Sequence, residues 1–428
     1  MELLILPAAT LVLILFAAIK MCFFDKVFKP SLWMLFLSLL YYPIYQILFH
    51  SGLVTTSSPF YNFLNLPEEY FFYASFLVLV FFIALIVGLR INIKVFRVVP
   101  GRHGYAQISF FLLVFSFFAF FMFVKGYGGF SYVMEYAANI RSGTDPNKSY
   151  LAAFFRMFTY YLEFVFLVFY CAYLIKSKLF SRYLLILLIL FPIVLFKLVL
   201  DSGRAGFISF FVMCVFCYWY INGRPPILKL LAVLFLSVVI VIYGKTLIFP
   251  FFTGRESVAS ENVSFIISLN RFFEEFAHPY FSTVVTLYSN SSSERLFGDF
   301  FYWFLKPLKF IFDDIPDSVS YFNTYMVTGH WDSMIPPGGV AFSLQQGGYL
   351  FVPIFGFLLG VFYSCVDKVV SRSDAREAPL IVAFFAIVTL YFPGFVLSAD
   401  IALVLQAFFV FFILFFFLFI LGYFKIKF

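Results

Sequence analysis

Along most of this chain apolar residues come in long runs, and the polar residues gather between them. A bilayer core about 30 Å thick is crossed by about 20 apolar residues in helical conformation. On that criterion the runs at 3–19, 31–49, 70–89, 106–124, 150–175, 183–200, 205–222, 227–244, 349–366, 379–397 and 401–422 predict eleven transmembrane helices. The first reads as a retained span, because Glu2 stands where a signal peptide is basic and no small-residue cleavage site follows.

The polar positions between the runs alternate in kind. Six connections, around Lys20–Lys29, Arg90–Arg102, Lys176–Arg182, Arg224–Lys229, Lys368–Arg376 and Lys425–Lys427, carry 17 basic residues against four acids. Lys and Arg concentrate on cytoplasmic loops. The N-terminus is therefore expected outside and the C-terminus inside, as an odd number of spans requires. The opposite side holds short connections and one long segment. Three regions result: spans one to eight over residues 1–244, an outer segment over 245–348, and spans nine to eleven over 349–428. Loops longer than about 15 residues without structure are uncommon, so interfacial helices are expected in the outer segment.

Composition removes the other classes. At 63% apolar and 12% charged residues, neither a soluble single-core enzyme nor a disordered chain fits. The net charge of +7 comes with no basic run or RNA-binding motif, so no nucleic-acid partner is expected. It follows instead from the basic loops. The five cysteines lie in or beside apolar runs and read as packing residues, Cys214 and Cys217 included despite their redox-like spacing.

Sixteen of the scarce charges fall within 245–348, and candidate chemistry concentrates there. In the stretch from Asn270 to Pro279, a helical reading puts Arg271, Glu274, Glu275 and His278 on one face. That face would combine an anion binder, carboxylates and an imidazole; an amphipathic surface helix is the plainer alternative. Between spans six and seven, Ser202-Gly-Arg204-Ala-Gly206 places an arginine at a helix N-terminus, where free N–H groups also favour anions. Snorkelling of Arg204 to lipid headgroups is the alternative. Arg156 and Glu163, seven apart in span five, read as a structural ion pair. The segment from Gly329 to Gly348 offers His330, Trp331 and Asp332 among glycines near the outer interface, with Gln345 and Gln346 beside the ninth span. Asp313-Asp-Ile-Pro-Asp317 has the form of a magnesium motif, but no second acidic motif accompanies it and Pro316 breaks the helix that would align its acids. No metal site and no cofactor are expected.

With these features the chain resembles the Wzy-type O-antigen or capsular repeat-unit polymerases of bacteria. The likeness lies in about eleven spans, the Gly126-Tyr-Gly-Gly129 loop with Arg141, the Ser202–Gly206 turn, the long outer segment, and the glycines from Pro336 to Gly348 with Gly356 and Gly360. The paired Arg-then-Gly motif of some members is absent: eleven positions beyond Arg141, Arg204, Arg271 and Arg295 stand Ala152, Val215, Ser282 and Lys306.

The resemblance implies an all-α polytopic inner-membrane protein with one long periplasmic loop, similar to C-type membrane glycosyltransferases. It implies undecaprenyl-pyrophosphate-linked oligosaccharides as donor and acceptor, and a chain-length regulator as a partner beside the lipid bilayer. Arg204 and Arg271 are then expected to hold the leaving pyrophosphate, and Glu274, Glu275 or His278 to act as base. Arg141, His330, Trp331 and Asp332 are expected to contact the glycan acceptor. An O-antigen ligase, a lipid-linked oligosaccharide flippase and a membrane O-acyltransferase are the competing readings.

Overall fold

A computed structural model describes residues 2–24, 29–55, 59–101, 105–137, 140, 150–176, 182–200, 204–223, 227–243, 270, 272–301, 318–331, 334–373 and 378–427. The chain is mostly helical. Among the described residues eight helices are long and apolar enough to cross a membrane, at Glu2–Cys22, Pro30–His50, Glu68–Leu89, Tyr105–Gly126, Leu151–Lys176, Arg182–Leu200, Gly338–Arg372 and Pro379–Leu397. The other three expected spans coincide with shorter apolar helices at Gly206–Asn222, Leu228–Ser237 and Phe408–Ile420. Large apolar side chains stand on the outer faces of these helices, with Phe110 66% and Leu185 65% exposed. Surfaces of that kind belong in lipid. The chain is built as a helical membrane protein.

Two compact units divide the chain, and neither is continuous in sequence. The first comprises Met1–Val95, Phe265–Ser371 and Tyr391–Phe408. It contains α1 (Glu2–Phe24), α2 (Pro30–Leu39), α3 (Tyr45–His50) and α4 (Glu68–Leu89). A π-helical turn, Leu40–Ile44, joins α2 to α3 and contains Pro43. Proline supplies no N–H for the helical ladder and crowds the preceding turn, and the wider turn accommodates it.

Glycine decides how α4 meets the ninth expected span. A Cβ on Gly360 would lie 2.1 Å from the Leu85 carbonyl oxygen, and one on Gly356 2.6 Å from that of Phe81. The reciprocal position, Gly88, would meet the Phe357 carbonyl at 2.3 Å. The two helices therefore run parallel with their backbones in contact, as small residues allow in a membrane. At the same end Lys368 Nζ donates to the Ile91 carbonyl (3.1 Å) and Asn92 Oδ1 (2.8 Å). Ser31, at the start of α2, donates to the Asp367 carboxylate through its N–H (3.0 Å) and its hydroxyl. Basic connections far apart in sequence thus share one end of this unit.

The second unit comprises Phe96–Ser264, Arg372–Leu390 and Phe409–Phe428. Its helices include α5 (Tyr105–Gly126), α6 (Phe130–Glu135), α7 (Tyr150–Phe158), α8 (Tyr161–Lys176), α9 (Arg182–Leu200), α10 (Arg204–Asn222) and α11 (Ile227–Tyr243). Hydropathy predicts one unbroken fifth span, but the helix turns at Thr159–Tyr160 between α7 and α8. Lys197, three residues from the end of the expected span 183–200, is only 2% exposed and binds Glu163 Oε1 at 2.5 Å. Its ammonium also lies 3.7 Å from the centroid of the Tyr160 ring. Arg156 Nη1 reaches the Ile140 carbonyl at 3.5 Å.

One further departure from the all-helical expectation is a small sheet. Strand β1 (Arg97–Pro100) pairs antiparallel with β2 (Phe424–Lys427), Val98 opposite Ile426. Val98 and Phe424 are buried, and the Val98 N–H donates to Ser373 Oγ at 2.9 Å. The basic C-terminal tail therefore pairs with the connection around Arg97, which also bonds Ser373.

Candidate functional site

Within the first unit, the described residues of the long segment include α12 (His278–Tyr288) and α13 (Val319–Thr328), followed by α14 (Gly338–Arg372). α14 is two helical pieces: Gly347 and Gly348 leave helical geometry, Gly348 at φ 70°. The first piece, 338–346, is buried throughout and begins eleven residues before the expected ninth span.

The one-face helix expected from Arg271 to His278 does not form. A short helical stretch over 272–274 gives way to a turn at Glu275 and Phe276, and α12 starts afresh at His278 with Pro279 in its first turn. Proline suits that position because the first helical N–H groups have no intrahelical partner. Pro279 thus opens a helix rather than closing one. Glu274 is half-buried and Glu275 exposed, and neither shares a helix face with His278.

What the fold does join is His278 and the glycine-rich segment. His278 Nδ1 lies 2.8 Å from the Pro336 carbonyl oxygen. A carbonyl only accepts, so Nδ1 carries the proton and Nε2 is left as the acceptor nitrogen of the neutral ring. Burial pushes the His278 pKa down from 6.5 to about 4, against the opposing pull of the Pro336 bond, and the imidazole is neutral at pH 7. Tyr41 meets the His278 ring edge-on at 5.5 Å and the Phe276 ring at 4.8 Å. Its neighbour Tyr42 accepts the Gly339 N–H (3.0 Å) and donates to the Val396 carbonyl (3.1 Å). Gly338 must be glycine here: its φ is +76°, and a Cβ would lie 2.5 Å from the Pro279 Cβ. Both tyrosines come from the π-turn around Pro43, a signal present in the sequence as Tyr41-Tyr-Pro43.

A largely buried polar layer lies along α12, α13 and the first piece of α14. Asn323 donates to Ser282 Oγ and to the Ile335 carbonyl, each at 2.9 Å. Gln345 Nε2 reaches Thr286 Oγ1 (3.1 Å) and Asn323 Oδ1 (3.3 Å). Gln346 Nε2 binds Asp299 Oδ2 at 2.6 Å, and Arg295 clamps the same carboxylate through Nε (2.8 Å) and Nη2 (2.7 Å). The backbone N–H groups of Ser293, Arg295 and Phe297 donate to the carbonyls of Leu344, Gln345 and Gln346. They satisfy the carbonyls that the break at Gly347 leaves without helical partners. Sequence reading named the glutamines for their position only. Arg295 and Asp299 carried no motif, and their i,i+4 spacing was the available signal.

The remaining expected residues are distributed as follows. Trp331 stacks on Tyr325 at 4.8 Å and 17°, and both rings are nearly half exposed. His330 is exposed in the turn after α13, its N–H donating to Thr328 Oγ1. Arg204 opens α10, as expected from the sequence, and its side chain lies outside the described atoms. Arg141, Arg271, Asp332 and the acidic motif at 313–317 lie outside the described residues. Among the described residues no cluster of three or more His, Cys, Asp or Glu could hold a metal ion. Comparison with protein-family models, with curated proteins and with solved structures finds no match to this chain.

Proposed function

We propose that this protein is an eleven-span inner-membrane glycosyltransferase that joins lipid-pyrophosphate-linked oligosaccharide repeat units into a polysaccharide at the periplasmic face. The observation that carries this reading is the His278–Pro336 contact. It holds a neutral imidazole in one tautomer, with Nε2 as acceptor, where the outer segment's two candidate stretches meet. Such a nitrogen can take the proton of an acceptor sugar hydroxyl as that oxygen attacks C1 of the donor glycan. The C1–O bond to the lipid pyrophosphate breaks in the same step, and the bond electrons leave with the pyrophosphate. Arg204 and Arg271 are assigned to that leaving group, since guanidinium forks suit phosphate oxygens. Glu274 and Glu275 are the other candidate bases, and Arg141, His330 and Asp332 the remaining acceptor contacts. The exposed Tyr325–Trp331 stack offers a flat apolar face to a sugar ring.

Deleting the gene and resolving surface glycan on a gel tests the class. A polymerase deletion leaves lipid core bearing a single repeat, whereas bare core with polymer retained on its carrier would identify a ligase. Bare core with no polymer would identify a flippase. For the base, His278→Gln in reconstituted protein is expected to lower turnover about 100-fold or more. Unchanged turnover would move the role to Glu274 or Glu275.

A further inference from the structure

The basic end of the first unit encloses a cavity of about 380 Å³ that the proposed reaction does not use. Its wall includes four cations from four separate segments: Lys20 in the last turns of α1, Lys29 before α2, Arg90 at the end of α4, and Lys368 on α14. Asp367 is the one acid among the described lining residues, and it is engaged by the Ser31 N–H and hydroxyl at the N-terminus of α2. Helix C-termini offset some of the positive charge, each by about half an elementary charge. α1, α4 and α14 all end here, so four cations against one carboxylate still leave the cavity positive. Lys368 is held in place by the Ile91 carbonyl and Asn92 Oδ1.

The rest of the wall suits a ligand with two chemistries. Ser364 and Ser371 offer hydroxyls, while Ala17, Met21, Ile86 and Leu89 make an apolar side. On the outer faces of the same helices Phe16, Ile19, Ile83 and Val87 are exposed, and an acyl chain could lie along them. Basic pockets between spans at the loop-rich side are where anionic headgroups are bound.

We propose that this cavity is a binding site for a phosphate group, that of an anionic phospholipid headgroup or of a soluble phosphate, distinct from the candidate site at His278. Binding of dioctanoyl phosphatidylglycerol, dioctanoyl phosphatidylcholine and inorganic phosphate to the purified full-length chain in neutral detergent tests it. Saturable binding of the phosphatidylglycerol, and none of the phosphatidylcholine, is expected. Lys20→Gln and Arg90→Gln, both at exposed positions, should each weaken it about five-fold, the effect of one surface charge near a phosphate. Lys20→Arg with Arg90→Lys should retain it. Inorganic phosphate binding as tightly as the lipid would identify a soluble ligand, and weak competition by phosphate a lipid. Equal affinity for the two lipids in the unaltered protein would overturn the proposal. So would binding that Lys20→Gln and Arg90→Gln leave untouched.

Discussion

His278 shows how burial and one carbonyl fix the state of a side chain. Its pKa of about 4, against 6.5 for the free group, means that the unfolded chain binds more protons between those values. Stability is therefore full above pH 6.5, falls as pH drops toward 4, and levels off below it. The loss is up to roughly 3 kcal/mol. Melting curves of the detergent-solubilised protein should show this slope, and His278→Gln should remove its share. At Tyr42 the hydroxyl can be removed on its own: Tyr42→Phe leaves the buried Gly339 N–H unpaired and should cost about 1–3 kcal/mol in the same assay. The Glu163–Lys197 pair is governed by desolvation. Glu163→Gln leaves a buried ammonium without its carboxylate and should cost about 3–5 kcal/mol, while Glu163→Leu with Lys197→Met should recover most of that loss.

At the scale of elements, contact between backbones sets the cost. Gly360→Ala forces a methyl group against the Leu85 carbonyl, which cannot move without separating α4 from α14, and should destabilise by about 1–3 kcal/mol. Gly206→Ala would meet only the mobile end of Leu198 at 3.3 Å, and should shift stability by less than about 1 kcal/mol. Thermal melting of the two variants side by side distinguishes these cases. The same elements show what a hydropathy pattern can convey. Positions of eight spans were legible, because a long apolar run has few other fates. The interruptions were less so. The turn at Thr159 leaves the transfer energy of its run unchanged and carries no glycine or proline, whereas Pro43 and Gly347-Gly348 mark the π-turn and the break locally. His278 was legible as a chemical group, but its tautomer depends on Pro336, 58 residues later. Lys197 read as an edge residue because nothing local announces Glu163, 34 residues before it.

For the whole molecule, four of the six basic connections meet one another, around Lys368 in the first unit and around the β1–β2 ladder in the second. Sidedness then has a direct test. In a cysteine-free background, a membrane-impermeant thiol reagent should label Trp331→Cys in intact cells and Arg90→Cys only after permeabilisation. The reverse pattern would invert the topology. Discontinuity of the units also has a consequence in time. The first unit waits for Phe265–Ser371 after its opening 95 residues are made, and 169 residues of the second unit intervene. At about 5–20 residues per second that is an interval of about 10–30 s. Throughout it Ser31 stands in the bilayer without Asp367, and His50 and Ser75 stand there without the Tyr280 hydroxyl that joins them. The polar side chains of α2, α3 and α4 thus lack these partners until late in synthesis.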